Sequence, residues 1–123
     1  MTPEHTITAI HILGQIILGG YFVYQGILHF EKHTDYTAYA AMNRIPMPGI
    51  AVYGSGILLL LGGLGIFFNM YTTIAIILLI IFLIPVSFTM HAFWKSPNPA
   101  EKAAQQIAFL KNMAILGALL MLF

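Results

Sequence analysis

The sequence predicts an all-α integral membrane protein: a four-helix bundle of transmembrane helices that forms one domain over residues 1–123. Its 123 residues are 59% hydrophobic and only 7% charged, whereas a soluble globular chain is about a quarter charged. A soluble monomer of this size could not cover its surface with so few charges, so the excess apolar surface must face lipid. Four segments are also long and apolar enough, at about 20 residues each, to span a bilayer.

The four apolar segments are expected to be helices, because lipid offers no partner to an unpaired backbone N–H or C=O group. They cover about residues 7–29, 49–68, 70–93 and 99–122. The first has no Lys or Arg before it and is too long for the apolar region of a signal peptide, so we expect a spanning helix there. Only Asn69 separates the second segment from the third, which predicts an antiparallel hairpin.

The other two connections carry local helix signals. Aromatic residues at helical spacing predict a short interfacial helix at about residues 35–42. Asn98, Pro99 and Glu101 have the order of an N-cap, a first-turn proline and the third residue of a capping box. The last helix is therefore expected to begin near Pro99.

All the basic residues lie toward one end of the predicted bundle. They are Lys32, Arg44, Lys95, Lys102 and Lys111. By the positive-inside rule, the connections between helices 1 and 2 and between helices 3 and 4 are cytoplasmic, and both termini face outward. The net charge of +1 predicts no nucleic-acid partner, whereas the apolar composition predicts the lipid bilayer as the surrounding partner.

Several kinds of chemistry are excluded or unsupported. The chain has no cysteine, which excludes a thiol nucleophile and a dithiol relay. Nothing in it is typical of a haem, flavin or iron–sulfur site, and His11 has no second axial ligand opposite it. His29 and His33 have the i, i+4 spacing of metal ligands, but no third ligand stands at a diagnostic spacing, so we predict no metal site.

The first helix carries polar residues on one stripe, at alternating spacings of four and three residues. The stripe consists of His11, Gln15, Leu18, Phe22, Gln25 and His29. Because ionisable groups in a membrane usually face the bundle interior, we expect the stripe to do so. Its apolar middle, Leu18 and Phe22, would interrupt any polar path through the bundle.

Polar residues of three helices share one membrane leaflet, at the basic end. They are Gln25, His29, Ser87, His91, Lys111 and Asn112. If their helices turn these faces inward, the residues form a polar pocket roofed by the first connection, with Glu31 and Asp35 as counter-charges to Lys111. Such a pocket suits a quinone carbonyl, proton-coupled electron transfer or a small anion. The alternative is a structural polar cluster, with Lys111 and Trp94 anchoring the interface.

Six short strings along the chain resemble the DoxX family of small four-helix membrane proteins. They are HAFW at 91–94, FLKNMAILG at 109–117, GILHF at 26–30, IPMP at 45–48, and the pairs Ser55-Gly56 and Gly62-Gly63. The resemblance extends over essentially the whole chain. It implies a bundle in a bacterial inner membrane and, because the family is named after a subunit of a thiosulfate:quinone oxidoreductase, a redox-linked role.

By this resemblance, the family-matching positions are His29, His91, Trp94, Lys111 and Asn112. Many members carry an acidic residue in helix 2, but residues 57–61 of this chain are wholly apolar. The chain therefore does not support a mechanism that needs a carboxylate there, and we name no catalytic residue.

Three functions remain open from the sequence. The first is a DoxX-like subunit with a quinone or small-anion pocket at the cytoplasmic leaflet. It would need a protein partner to supply electrons. The second is a non-enzymatic assembly or scaffold protein, whose glycine-rich helix 2 docks a partner helix or a second copy of the chain. The third is a small transporter, against which the apolar middle of the helix 1 stripe argues.

Overall fold

A computed structural model of the chain describes the backbone of residues 3–123 and the side chains from residue 8 onward. The elements in chain order are α1 (Pro3–Glu31), α2 (His33–Met42), α3 (Pro48–Phe67), α4 (Thr72–Thr89), a 3₁₀ turn (Phe93–Lys95) and α5 (Pro99–Leu122). These described residues include no strand, and four of the helices are long and apolar enough to cross a membrane. The prediction of an all-α, four-helix transmembrane fold is confirmed.

The four long helices pack in a fixed order around one apolar core. Helix α1 lies against α3, α3 against α4, and α4 against α5, while α2 lies across α3 and α1. Between α1 and α5, no pair of described Cα atoms comes within 8 Å, so these two helices meet through side chains alone. The core consists of Phe22, Leu59, Ile66, Ala75, Ile76, Leu79, Leu83 and Leu119.

The outer surface of the bundle is apolar along all four long helices. Ile17, Ile57, Ile74 and Ile107, one from each helix, are all at least half exposed. Large apolar side chains exposed in such numbers would drive a soluble protein to aggregate. Lipid is therefore the solvent that this surface fits.

Glycines bring the backbones of α1 and α3 into direct contact. A Cβ added to Gly19 would lie 2.5 Å from the backbone N of Phe67 and 2.7 Å from the backbone O of Gly63. One added to Gly63 would lie 2.8 Å from the backbone N of Val23. Small residues permit this close approach. In lipid the hydrophobic effect does not hold helices together, so the van der Waals packing of the two backbones stabilises the pair instead.

The turn between α3 and α4 begins at a residue in the left-handed conformation. Asn69 has φ 55°, the left-handed conformation that ends many helices. The backbone N–H groups of Met70 and Asn69 donate to the backbone O atoms of Gly65 and Ile66, at 2.8 and 3.2 Å. This is the Schellman arrangement, with asparagine in the place usually taken by glycine.

The side chain of Asn69 also ties α1 to this turn. Its Oδ1 accepts hydrogen bonds from Nε2 of Gln15, at 2.9 Å, and from Oγ1 of Thr72, at 3.1 Å. Gln15 is almost fully buried, and a buried amide without a partner is costly. The asparagine therefore serves both the turn and the interior of the bundle.

We expect Asn69→Ala to lower the free energy of unfolding by about 2 kcal/mol, because alanine is strained at positive φ and leaves Gln15 short of one acceptor. Asn69→Gly keeps the backbone conformation and loses only the hydrogen bonds, so its cost should be about half as large. Equilibrium unfolding in mixed detergent measures both. Equal losses for the two variants would contradict the role assigned to the left-handed backbone.

Helix α4 ends earlier than the sequence predicted. The apolar segment at 70–93 predicted one helix, but α4 stops at Thr89, and the chain then forms the 3₁₀ turn. His91 therefore lies beyond the helix and does not follow Ser87 on one helical face. Apolar residues continue past Thr89 because Phe93 and Trp94 pack against Phe109 of α5, so hydropathy overstates the length of the helix.

The start of α5 agrees with the local sequence signal. Oδ1 of Asn98 accepts a hydrogen bond from the backbone N–H of Glu101, at 2.8 Å, and Pro99 occupies the first turn. Nδ2 of Asn98 donates to Oε2 of the same glutamate, at 3.3 Å. The capping residues thus satisfy one of the free N–H groups of the first turn.

Candidate ligand-binding cavity

A cavity of about 540 Å³ lies among α1, α3, α4 and α5. Tyr36, Tyr39 and Ala40 of α2 lie over it, and Thr89 to His91 border it where α4 ends. We call it the internal cavity, and we call the end of the bundle that carries Lys32, Arg44, Lys95 and Lys102 the basic end. The volume is typical of sites for small organic ligands.

The lining of the internal cavity divides into an apolar wall and a polar set. Phe22, Leu59 and Leu83 belong to the bundle core and line the cavity as well. The polar set consists of Tyr21, Gln25, His29, Tyr36, Tyr39, Ser55, Thr89, His91, Lys111 and Asn112. This division suits an amphipathic ligand that places its head among the polar side chains and its apolar part against the core.

His29 presents one ring nitrogen for a ligand. Its Nδ1 lies 2.7 Å from the backbone O of Gln25, and a carbonyl oxygen can only accept, so Nδ1 carries the proton. In the neutral ring Nε2 is then an acceptor. The ring makes edge contacts with Tyr36 and Phe82, at centroid distances of 5.0 and 5.9 Å, which hold it at the cavity wall.

Among the side chains that the structure describes, from residue 8 onward, Lys111 is the only lysine or arginine that lines the internal cavity, and no aspartate or glutamate lines it. Its Nζ lies 5.8 Å from the ring centre of Tyr21 on α1, a cation–π distance. Glu31 and Asp35, which we expected to supply counter-charges, do not line the cavity. The positive charge of this cavity therefore comes without a carboxylate beside it.

Asn112 and Ser87 form a buried pair between α5 and α4. Nδ2 of Asn112 donates to Oγ of Ser87, at 3.1 Å, and that hydroxyl donates to the backbone O of Leu83, at 2.6 Å. Ser87 is fully buried and lies behind the cavity wall, whereas Asn112 lines it. The serine thus orients the asparagine and does not itself line the cavity.

A hydrogen-bonded chain joins α2 to the ends of α4 and α5. Nδ1 of His91 donates to Oε1 of Gln105, at 2.8 Å, and Nε2 of Gln105 donates to the hydroxyl of Tyr39. That hydroxyl donates to the backbone O of Met90, at 3.3 Å. We call this chain the roof network, because it ties α2 down over the internal cavity.

Trp94 lies outside the internal cavity. It is 48% exposed and packs with Phe88, Phe93 and Phe109 at ring distances of 5.2 to 6.1 Å. The tryptophan therefore belongs to an aromatic cluster that fastens the 3₁₀ turn to α4 and α5. This position agrees with the interfacial anchor that the sequence left open.

The α1 stripe faces the interior along most of its length. Gln15 and Phe22 are buried, and Gln25 and His29 are half-buried. His11 is exposed and does not share this environment. The two imidazoles at i, i+4 also have different partners, because Nε2 of His33 donates to the backbone O of Gly49, at 3.0 Å.

Sequence reasoning missed several polar residues at this site. They are Tyr21, Tyr36, Tyr39, Ser55 and Thr89 in the cavity lining and Gln105 in the roof network. Tyr21 stands four residues before Gln25, so the helical spacing that defined the α1 stripe could have identified it. No sequence pattern pointed to Gln105, because its hydrogen-bond partners, His91 and Tyr39, lie in other parts of the fold.

The fold and this cavity define a class: a multi-pass α-helical membrane protein with an amphipathic internal cavity at one end of its bundle. A family model described as DoxX matches residues 11–92, which is more than half of the chain. The chain therefore belongs to the DoxX family. No curated protein and no solved structure matches it.

The matched region begins within α1, includes α2 to α4 and ends just before the 3₁₀ turn. It includes His29 and His91 but not Trp94, Lys111 or Asn112. The similarity noted for residues 109–117 lies outside it, so the roles of the α5 residues depend on the geometry described above.

Proposed function

We propose that the internal cavity binds a lipid-soluble molecule with a carbonyl head, and that a quinone is this ligand. The observation that supports the proposal is the lining itself, in which Lys111, Asn112 and His29 border the same cavity as the apolar core residues. A quinone needs hydrogen-bond donors at its oxygens and apolar surface around its ring and tail. The internal cavity offers both.

The head of the ligand would be bound by groups of opposite hydrogen-bonding character. Lys111 supplies a charged donor, which strengthens as negative charge develops on a quinone oxygen. Nε2 of His29 is an acceptor in the neutral ring and a donor in the protonated ring. The same pair therefore fits both forms of a quinone. Lys111 donates to a carbonyl of the oxidised form, and Nε2 of His29 accepts from a phenolic hydroxyl of the reduced form.

Access from the membrane is the most direct route to this cavity. The backbones of α1 and α5 stay apart, and only side chains such as Tyr21 and Lys111 bridge them. On the opposite side, Gly19 and Gly63 bring α1 and α3 into backbone contact. A lipid-soluble ligand would thus enter between α1 and α5.

The redox role remains part of the proposal. The chain's own residues supply hydrogen bonds to the ligand, so a partner subunit would supply or accept the electrons. We assign the protein to a bacterial inner membrane with the basic end in the cytoplasm, because basic residues are retained on that side.

Removing the charge of Lys111 tests the proposal. We expect Lys111→Met to lower the amount of quinone that co-purifies with the protein by about tenfold or more, since a hydrogen bond to a charged group contributes about 1.5–3 kcal/mol. The measurement is lipid extraction of gently purified protein followed by mass spectrometry, normalised to protein.

Lys102→Met is the matched control, because Lys102 is on the same helix but does not line the internal cavity. It should retain the wild-type amount of quinone. A wild-type protein without quinone, or equal retention by both variants, would overturn the proposal. Retention of a small acidic molecule in place of quinone would reassign the cavity to anion binding.

A scaffold function is the second candidate, and one observation favours it at α5. Gly117 has no neighbouring atom within 4 Å of an added Cβ, and Ala114 and Ala118 beside it are exposed. The glycines of α3 that were expected to dock a partner are mostly occupied by α1 and α4. A partner helix would therefore pack on α5, and co-purification of a membrane partner that is lost in Gly117→Leu would support this function.

A further inference from the structure

A second cavity, of about 430 Å³, opens at the basic end, outside the internal cavity. Tyr39, Thr89 and Met90 line both cavities and form the wall between them. Arg44 and Lys95 line only the second one, which we call the surface cavity. We infer that the surface cavity binds a phosphate group, with the headgroup of an anionic phospholipid as its nearest source.

The conformation of Arg44 is the first argument. The residue has φ 60°, and the backbone N–H groups of Arg44 and Ile45 donate to the backbone O atoms of Ala41 and Ala40, at 3.0 and 3.1 Å. This is a Schellman ending for α2, in which the left-handed position is ordinarily glycine. An arginine there is strained, and such strain is concentrated at ligand sites.

The position of Lys95 is the second argument. It closes the 3₁₀ turn, where its backbone N–H donates to the backbone O of Ala92, at 3.0 Å. The neighbouring Phe93 and Trp94 both pack on Phe109 of α5. The aromatic cluster thus fixes the backbone that carries the lysine, at the level where α4 ends.

The charge and hydrogen-bonding groups of the surface cavity suit a phosphate. Among the described residues that line it, Arg44 and Lys95 supply two positive charges, against one carboxylate, that of Glu101. Glu101 already accepts a hydrogen bond from Asn98, whereas the described structure gives the Ser96 hydroxyl no hydrogen bond. Arginine binds phosphate through a planar pair of donors, and lysine adds a point charge.

The apolar rim points to a lipid as the source of the phosphate. Met42, Met90 and Ala92 line the surface cavity beside the charged groups, and α2 lies where the membrane-spanning helices end. Basic clusters next to spanning helices attract anionic headgroups. The surface cavity does not depend on the proposed quinone site, because its charged residues are different ones.

The test uses the purified protein in lipid nanodiscs that contain phosphatidylglycerol and phosphatidylcholine. We expect Arg44→Gln combined with Lys95→Gln to lower the affinity for phosphatidylglycerol by about tenfold, as measured by native mass spectrometry across a range of lipid ratios. The matched control is Lys32→Gln combined with Lys102→Gln. It removes the same charge from the same end and should stay near the wild type.

Equal losses in the two double variants would overturn the inference, because they would show attraction to overall charge alone. Wild-type protein that prefers neither lipid, and does not bind inorganic phosphate in nanodiscs of phosphatidylcholine alone, would also overturn it. Binding of inorganic phosphate that depends on Arg44 and Lys95 would support the site and identify free phosphate as the source.

Arg44→Gly separates binding from folding. Glycine adopts positive φ without strain, so this variant should unfold at the wild-type temperature or above it, while its affinity for phosphatidylglycerol falls. Loss of affinity together with a lower unfolding temperature would assign Arg44 a structural role and would contradict the inference.

Discussion

Gly19→Ala is expected to destabilise the bundle by about 3 kcal/mol, the upper part of the usual range for overpacking. The added methyl group would lie 2.5–2.7 Å from backbone atoms of Gly63 and Phe67. Backbone atoms within a helix cannot rotate away, so α1 and α3 must separate. Their separation would also loosen the core around Phe22, which lies on α1 close to this crossing.

Gly20→Ala is the matched control, because it adds the same methyl group one residue later. An added Cβ there meets only the ring of Phe67, at 4.0 Å, an ordinary contact distance. Alanine is also the better helix former, by about 1 kcal/mol, so this variant should be as stable as the wild type or more stable. Unfolding in mixed detergent compares the two, and similar stabilities would contradict the close α1–α3 contact.

A cross-link between α1 and α5 is expected to abolish exchange of the ligand in the internal cavity. The chain has no cysteine, so Leu18→Cys combined with Ile115→Cys introduces the only two thiols. Both parent residues pack against the core but do not line the cavity. A short bifunctional thiol reagent would tie the two helices together and prevent them from separating.

The measurement is the exchange of bound unlabelled quinone for isotopically labelled quinone, with and without the cross-link. The same variant joined by a reducible reagent is its own control, because reduction should restore exchange. Tyr39→Cys combined with Gln105→Cys replaces the roof network with a covalent lock between α2 and α5, and ligand exchange in this variant should not change when the cross-link forms. Exchange that stops with the roof lock and continues with the α1–α5 link would place the entrance under α2.

The spanning helices and the local caps were predictable from the sequence, because their causes lie within short segments. Lipid requires about 20 apolar residues for each crossing, and the Asn98 cap depends on residues three positions apart. The resemblance to the DoxX family is borne out by the match over residues 11–92. The end of α4 was not predictable, because Phe93 and Trp94 are apolar residues that pack against Phe109 of α5 and do not extend α4.

The depth of the candidate site in the membrane was predictable from the sequence, but the set of residues that line it was not. Helical spacing and depth brought Gln25, His29, Lys111 and Asn112 to one leaflet, and all four line the internal cavity. Ser87 has the same depth and helical context as these residues, yet it lies behind Asn112. The depth of a residue in the membrane follows from its position in the apolar segment. The direction in which its side chain points depends on how its helix is rotated relative to the neighbouring helices.

The sequence by itself determined the membrane class, the number of crossings and the end of the bundle at which polar groups gather. Only the tertiary structure decided that α1 approaches α3 at its backbone and α5 only through side chains. It also decided that α2 closes the internal cavity through Tyr39 and Gln105, and that Arg44 and Lys95 line a second cavity. These outcomes depend on contacts between residues far apart in the chain, and hydropathy carries no information about which helix faces meet.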